Sequence, residues 1–180
     1  MKKTLLLFIA SAGLFLAASC GNMETKTEKT EEKSAVEMQE EKEERNKEIV
    51  KNMMQAFNSH SLDEAMKNTA PNFVDYGDGN MQPITNMDSL KAMFNGWITS
   101  FDMKADNLQY FADGDHVLVM GDWTGTWKQD YMGMKANGKS FQTKDMDIFK
   151  LNDEGQIVEH RNIQNWGLMM QTQLGMKMPM

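Results

Sequence analysis

Between Ile49 and Phe101 the apolar residues of this chain recur with a helical period. In "NKEIVKNMMQAFNSH", Ile49, Val50, Met53, Met54 and Phe57 fall on one face, the spacing of an amphipathic helix. "SLDE" opens a second, shorter helix, with Ser61 and Glu64 at the spacing of a capping box. "PNFVDYGDGN" begins at a helix-stopping Pro71 and predicts a short strand running into a Gly-rich turn. A third helix starts near Asn86 or Asp88. In it Leu90, Met93, Phe94, Trp97, Ile98 and Phe101 stand at i, i+3, i+4, i+7, i+8 and i+11, a strong amphipathic signal.

After Phe101 the period changes to two. "MKADNLQYFADGDHVLVMGDWTGTWKQD" predicts two strands around "DGD", and "KSFQTKDMDIFKLNDEGQIVEHRNIQNW" two more around "NDEG". "GLMMQTQLG" predicts a closing short helix. Helices followed by a long antiparallel meander imply an α+β fold in which a curved sheet wraps the helices.

The N-terminus changes the expected address. "MKKTLLLFIASAGLFLAASC" has two lysines, an apolar run from Leu5 to Ala18, small residues and then Cys20, the layout of a secretory signal. The run is shorter than the roughly 18 to 20 residues that span a bilayer. Cys20 is the only cysteine, and its place after "LAAS" resembles the lipobox of bacterial lipoproteins, with Ala17 where Leu is usual. Gly21 in place of Asp points to the outer membrane in similar lipoproteins. The prediction is a cell-envelope protein anchored through lipidated Cys20, on a periplasmic or surface face.

From Gly21 to Glu48 there are ten acids and six bases with almost no large apolar residue, so this stretch is expected to be disordered or at most a solvated helix. The chain divides into a signal peptide (1–19), an acylated cysteine and charged tether (20–45), and one domain (46–180). From Ile49 onward 16 Asp and Glu face 11 Lys and Arg, a net charge of −5, and no basic run suggests a nucleic-acid partner. With no cysteine pair, stability is expected to come from the core.

The order helix, short helix, strand, helix, hairpins resembles the nuclear transport factor 2-like superfamily, a cone-shaped α+β barrel with a deep pocket. Within it the C-terminal half is similar to the polyketide cyclase SnoaL-like group. "GKSFQTKDMDIFKLNDEGQIVEHRN" and the closing "QLG" carry that likeness, with "EIVKNMMQAFNSHSLDEAM" as the weaker N-terminal match. The resemblance spans nearly all of residues 46–176. It implies three N-terminal helices packed in a curved antiparallel sheet, and dimerisation through that sheet. It also implies the cyclases' metal- and cofactor-free aldol ring closure, in which an Asp after "HR" is the general acid/base and a His in the preceding strand supports it. Here those places hold Asn162 and Asp147. A neutral amide cannot exchange a proton near neutral pH, so the cyclase mechanism does not transfer directly.

The residues leave another arrangement open. Asp145 and Asp147 alternate onto one strand face with Phe141, Phe149 and Leu151; Val158, His160 and Asn162 alternate on the next strand. If both faces line the cone, two carboxyls, an imidazole and an amide converge on an apolar cavity, and coupled carboxyls beside an imidazole can move protons. The alternative is that Asp147 and His160 form a satisfied pair at the rim. Tyr76 (beside Asp75), Trp97 and Trp123 join Asn162 as candidate ligand contacts.

The 19 methionines read mostly as flexible core filler. Met176, Met178 and Met180 lack a packing reason, and their thioethers suit Cu(I). No zinc-site spacing occurs, and "DYGDGN" lacks the later ligands of a calcium loop.

The leading expectation is a lipid-anchored homodimer that binds a small, mostly apolar molecule without a cofactor. Next comes a cofactor-independent isomerase, dehydratase, cyclase or hydrolase using Asp145, Asp147 and His160. A copper-binding lipoprotein comes third.

Overall fold

The computed structural model describes residues 33–177. The signal sequence, Cys20, Met178 and Met180 lie outside the described residues.

Helix α1 (Ala35–Asn58) starts within the stretch expected to be tether. Ser34 caps it: its Oγ accepts from Glu37 N–H, and the Glu37 carboxylate accepts from Ser34 N–H. The Glu- and Lys-rich run is a good helix former, and part of it is docked. The Glu43 carboxylate accepts from Gly114 N–H at 2.9 Å, and Lys42 reaches Asp115 and Asp153 at 2.6 and 2.8 Å. Asn46 is fully buried, donating to Gly114 O. Helix α2 (Leu62–Met66) lacks the expected capping box, because Ser61 makes no side-chain cap bond. Its N–H is instead held by Ala56 O at the end of α1. Helix α3 (Met87–Ser100) is capped by Asn86, whose side chain accepts from Ser89 N–H.

Five strands form one curved sheet: β1 (Thr69–Asp75), β2 (Lys104–Asp113), β3 (His116–Thr126), β4 (Ser140–Leu151) and β5 (Ile157–Asn162), in the order β1-β5-β4-β3-β2. The sheet is mixed rather than antiparallel. β2 to β5 form the expected hairpins, but β1 lies parallel to β5. Hairpin turns dictate antiparallel neighbours; β1 belongs to no hairpin and joins β5 across a long separation in sequence. Val158 falls at an irregularity in the β4–β5 register. Ile157, and not Val158, is therefore the fully buried residue at the start of β5.

Helix α4 (Trp166–Met169) runs into a π-helical turn (Met170–Leu174) ended by Gly175 at φ 73°, the left-handed cap glycine allows. Val50 and Met54 of α1, Leu90 of α3 and Met170 pack against Val117, Val119, Phe149 and Leu151 on the inner sheet face. α1 lies along β2, with Asn46 at the β2–β3 turn and Asn58 exchanging two hydrogen bonds with Ala105 at the start of β2.

Candidate active site

A cavity of about 770 Å³ lies between the helices and the inner face of the sheet. Its walls are mainly apolar, with Phe57, Phe94, Trp97, Trp123, Phe149 and Trp166 supplying aromatic surface. The exposed lining residues Met81, Met132 and Leu168 mark its mouth, near where β1, β3 and β5 end.

His160 stands on the wall with a carboxylate on each side. Its Nδ1 lies 3.1 Å from Asp75 Oδ1 and its Nε2 3.1 Å from Asp147 Oδ1. The ring stacks on Phe149, its direct partner across β4 and β5, at 4.9 Å between centroids. A neutral imidazole has one N–H and satisfies one carboxylate; the imidazolium donates to both. Burial opposes that charge, but the hydrogen bonds to Asp147 and Asp75 outweigh it and push the imidazole from 6.5 up to about 10. Burial likewise works to raise Asp75, and the bond and charge of His160 override it, holding this carboxyl below its ordinary value. Asp75 also accepts from Gly77 N–H at 2.8 Å, which fixes its rotamer.

Asp147 gives one oxygen to His160; the other, Oδ2, is buried and has no hydrogen-bond partner among the described residues. An acceptor left in this state is costly, and rotation about χ2 lets the two carboxylate oxygens exchange places. Asp147 and His160 thus meet on the cavity wall as the face pattern implies. Asp75 was not among the candidate catalytic residues. The signal in the sequence was its register: two residues after Phe73 in a short strand, it takes the same inward face.

Asp145 has a different job. It is buried but is not one of the residues lining the cavity. Oδ1 accepts from the N–H groups of Met146, Ile163 and Gln164, and Oδ2 from Trp166 Nε1 at 2.8 Å. Burial and the charge of Asp147 raise this carboxyl despite those bonds. Asp145 holds the turn after β5 and hangs Trp166 in the wall, where the indole meets Trp97, Trp123 and Phe141 edge-on.

The four candidate ligand contacts, Tyr76, Trp97, Trp123 and Asn162, all line the cavity. Asn162 donates from Nδ2 to Gln164 O, and Tyr76 carries the Arg161 guanidinium over its ring at 3.7 Å. Trp123 Nε1 is buried and has no hydrogen-bond partner among the described residues. Among the described residues no group of three His, Cys, Asp or Glu is placed to hold a metal ion. Met176, expected to lack a packing role, is buried in the core.

A cone of helices in a curved sheet, with an apolar cavity and a few polar groups on its wall, defines a nuclear transport factor 2-like domain. The sequence profile described as SnoaL-like polyketide cyclase matches residues 47–172, and the chain belongs to that family. Solved structures share the fold. A candidate SnoaL-like polyketide cyclase from Jannaschia sp. CCS1 superposes with a TM-score of 0.66 at 19% identity, covering 76% of this chain and 96% of that one. IdmH, a candidate polyketide cyclase from Streptomyces antibioticus, gives 0.59 at 25% identity over 73% and 99%. An LEH-like epoxide hydrolase of M. tuberculosis gives 0.56 at 16% over 73% and 91%. Among curated proteins none matches the sequence.

Proposed function

We propose that this domain is a cofactor-independent acid/base catalyst that enolises a small, mostly apolar carbonyl compound, as an isomerase or cyclase does. Asp147 takes and returns the proton, His160 holds Asp147, and Asp75 holds His160. The observation that carries the reading is the free Oδ2 of Asp147 on the wall of an apolar cavity, its sister oxygen fixed by His160. Asn162, at the family's usual acid position, binds without titrating.

The test is α-deuteration of 2-tetralone and propiophenone in D₂O, followed by proton NMR, with styrene oxide hydrolysis run alongside for the hydrolase form. The wild type should exchange above buffer, and Asp147→Asn should lose on the order of 10² to 10⁴ of that rate while still binding the ketone. Exchange that survives the substitution would remove Asp147 as the base, and ketones that bind and never exchange would favour the binding-only reading.

Two further elements belong to the proposal. Lipidation of Cys20 anchors the domain in the cell envelope, at the outer membrane. Two copies pair through the outer face of the sheet, where Phe111, Leu118, Ile148 and Arg161 form one cross-strand row and Phe111 is exposed.

A further inference from the structure

The charged groups on the cavity wall are one-sided. Asp75, Asp78, Asp147 and His160 line it, and among the described residues no lysine or arginine does. His160 has nothing to offer an incoming anion, because its two ring nitrogens already face Asp75 and Asp147. Arg161 follows His160 on β5 and so takes the opposite face. It stacks on Tyr76, is half exposed and points toward Glu159 at 3.9 Å. Lys67 and Lys91 line a second, open depression that adjoins the cavity at Met66 and Thr69, and neither lysine is among the residues lining the cavity itself.

An anion entering this cavity would leave water and find no cation free to pair with it. Burying an unpaired charge is strongly unfavourable. It would also meet a wall of net negative charge. With His160 protonated, Asp75 and Asp147 outnumber it; with His160 neutral, they stand uncompensated. The sign is the same in both states. A uncharged carbonyl compound avoids the penalty, and an ammonium group gains Asp147 Oδ2 as an acceptor and aromatic faces as a cation-binding wall.

We infer that the cavity discriminates by charge: its ligand is an uncharged or cationic apolar molecule, and free carboxylic acids and phosphate esters are turned away. This names the substrate class for the acid/base reading above and rests on that reading's cavity. At an effective dielectric of about 20, one unit charge roughly 6 Å from another changes binding on the order of a hundredfold.

Three probes with one apolar body test it on the full chain by isothermal titration calorimetry at pH 7: methyl 1-naphthaleneacetate, 1-naphthaleneacetic acid and 2-(1-naphthyl)ethylamine. The ester and the amine should bind at least tenfold more tightly than the acid. In Asp147→Asn, checked for folding by circular dichroism, the gap between ester and acid should narrow about tenfold. An acid bound as tightly as the ester by the wild type overturns the inference, whatever the variant does. Binding of none of the three overturns it together with the small-molecule reading. Lost discrimination with intact deuterium exchange sinks the charge rule alone, whereas discrimination without exchange sinks only proton transfer.

Discussion

Asp147 and Asn162 are direct cross-strand partners on β4 and β5. Such pairs hold their Cβ atoms about 4.5 to 5.5 Å apart, so the carboxylate of this site lies one strand over from the place where the family resemblance puts it. Asn162→Asp would set two carboxyls against each other, and one of them should keep its proton toward neutral pH. The variant should lose stability as pH rises through that raised value and recover it on acidification. Urea unfolding at several pH values reads the effect, and a profile that superposes on the wild type would show that the two side chains do not share an environment.

His160 sets the alkaline limit of stability. Its folded value of about 10 lies above the ordinary 6.5, so its contribution is fully present below 6.5 and is lost as pH climbs toward 10. Asp75 has the opposite sign: its value is lowered, and its contribution disappears as pH falls into the acid range. The urea midpoint should therefore decline between pH 7 and 10. His160→Gln should flatten that decline while lowering stability at pH 7 by about 3 to 5 kcal/mol, since two buried carboxylates lose their counter-charge. A wild-type midpoint constant from pH 7 to 10 would contradict the paired imidazolium.

Asp145→Asn separates scaffold from chemistry. The amide oxygen cannot serve three backbone N–H groups and the Trp166 indole at once, so about 1 to 3 kcal/mol should be lost and Trp166 emission should shift red. Deuterium exchange should fall far less than in Asp147→Asn. Equal loss in both variants would place Asp145 in the proton path.

Gly125 on β3 is required by the aromatic wall. An added Cβ would come within 2.5 Å of the Phe141 ring and 3.2 Å of Met103 Cγ, and Phe141 in turn meets Trp166. Gly125→Ala should destabilise by about 1 to 3 kcal/mol through overpacking. An unchanged midpoint in urea would mean the wall yields freely.

The outer face of the sheet gives a prediction of assembly. Ile148→Glu places a charge in the middle of the Leu118–Ile148–Arg161 row, where a stable dimer needs about 800 Å² of each copy. Sedimentation equilibrium should show a wild-type dimer and a monomeric variant with the same circular dichroism. A monomeric wild type at tens of micromolar would end the proposal.

The helices and hairpins were readable because each follows from a local period. Met53, Met54 and Phe57 line the cavity from α1 as their spacing implies, and Asp147, His160 and Asn162 meet because alternation assigns faces. What periodicity does not carry is partnership between distant strands. Asp75 is brought to His160 only by the parallel β1–β5 pairing, and no turn in the sequence announces it. The one-residue irregularity at Val158 was equally silent: it exchanges the roles of Ile157 and Val158 while leaving the hydrophobicity pattern intact. Asp145 is on the same strand face as Asp147 but does not line the cavity, because a shared face does not mean a shared cavity. The chain after β5 folds back over it, and that path depends on bonds Asp145 itself makes.

Helix α1 passes from the tight β2–β3 turn, where Asn46 is buried, to the start of β2 at Asn58. The mouth, ringed by Met81, Met132 and Leu168, opens at the other pole of the sheet from that turn. The N-terminal end of α1, beginning at Ala35, lies beyond that turn on the side away from the mouth. A biosensor coupled to the domain through the first turn of α1 would therefore leave the cavity free to fill.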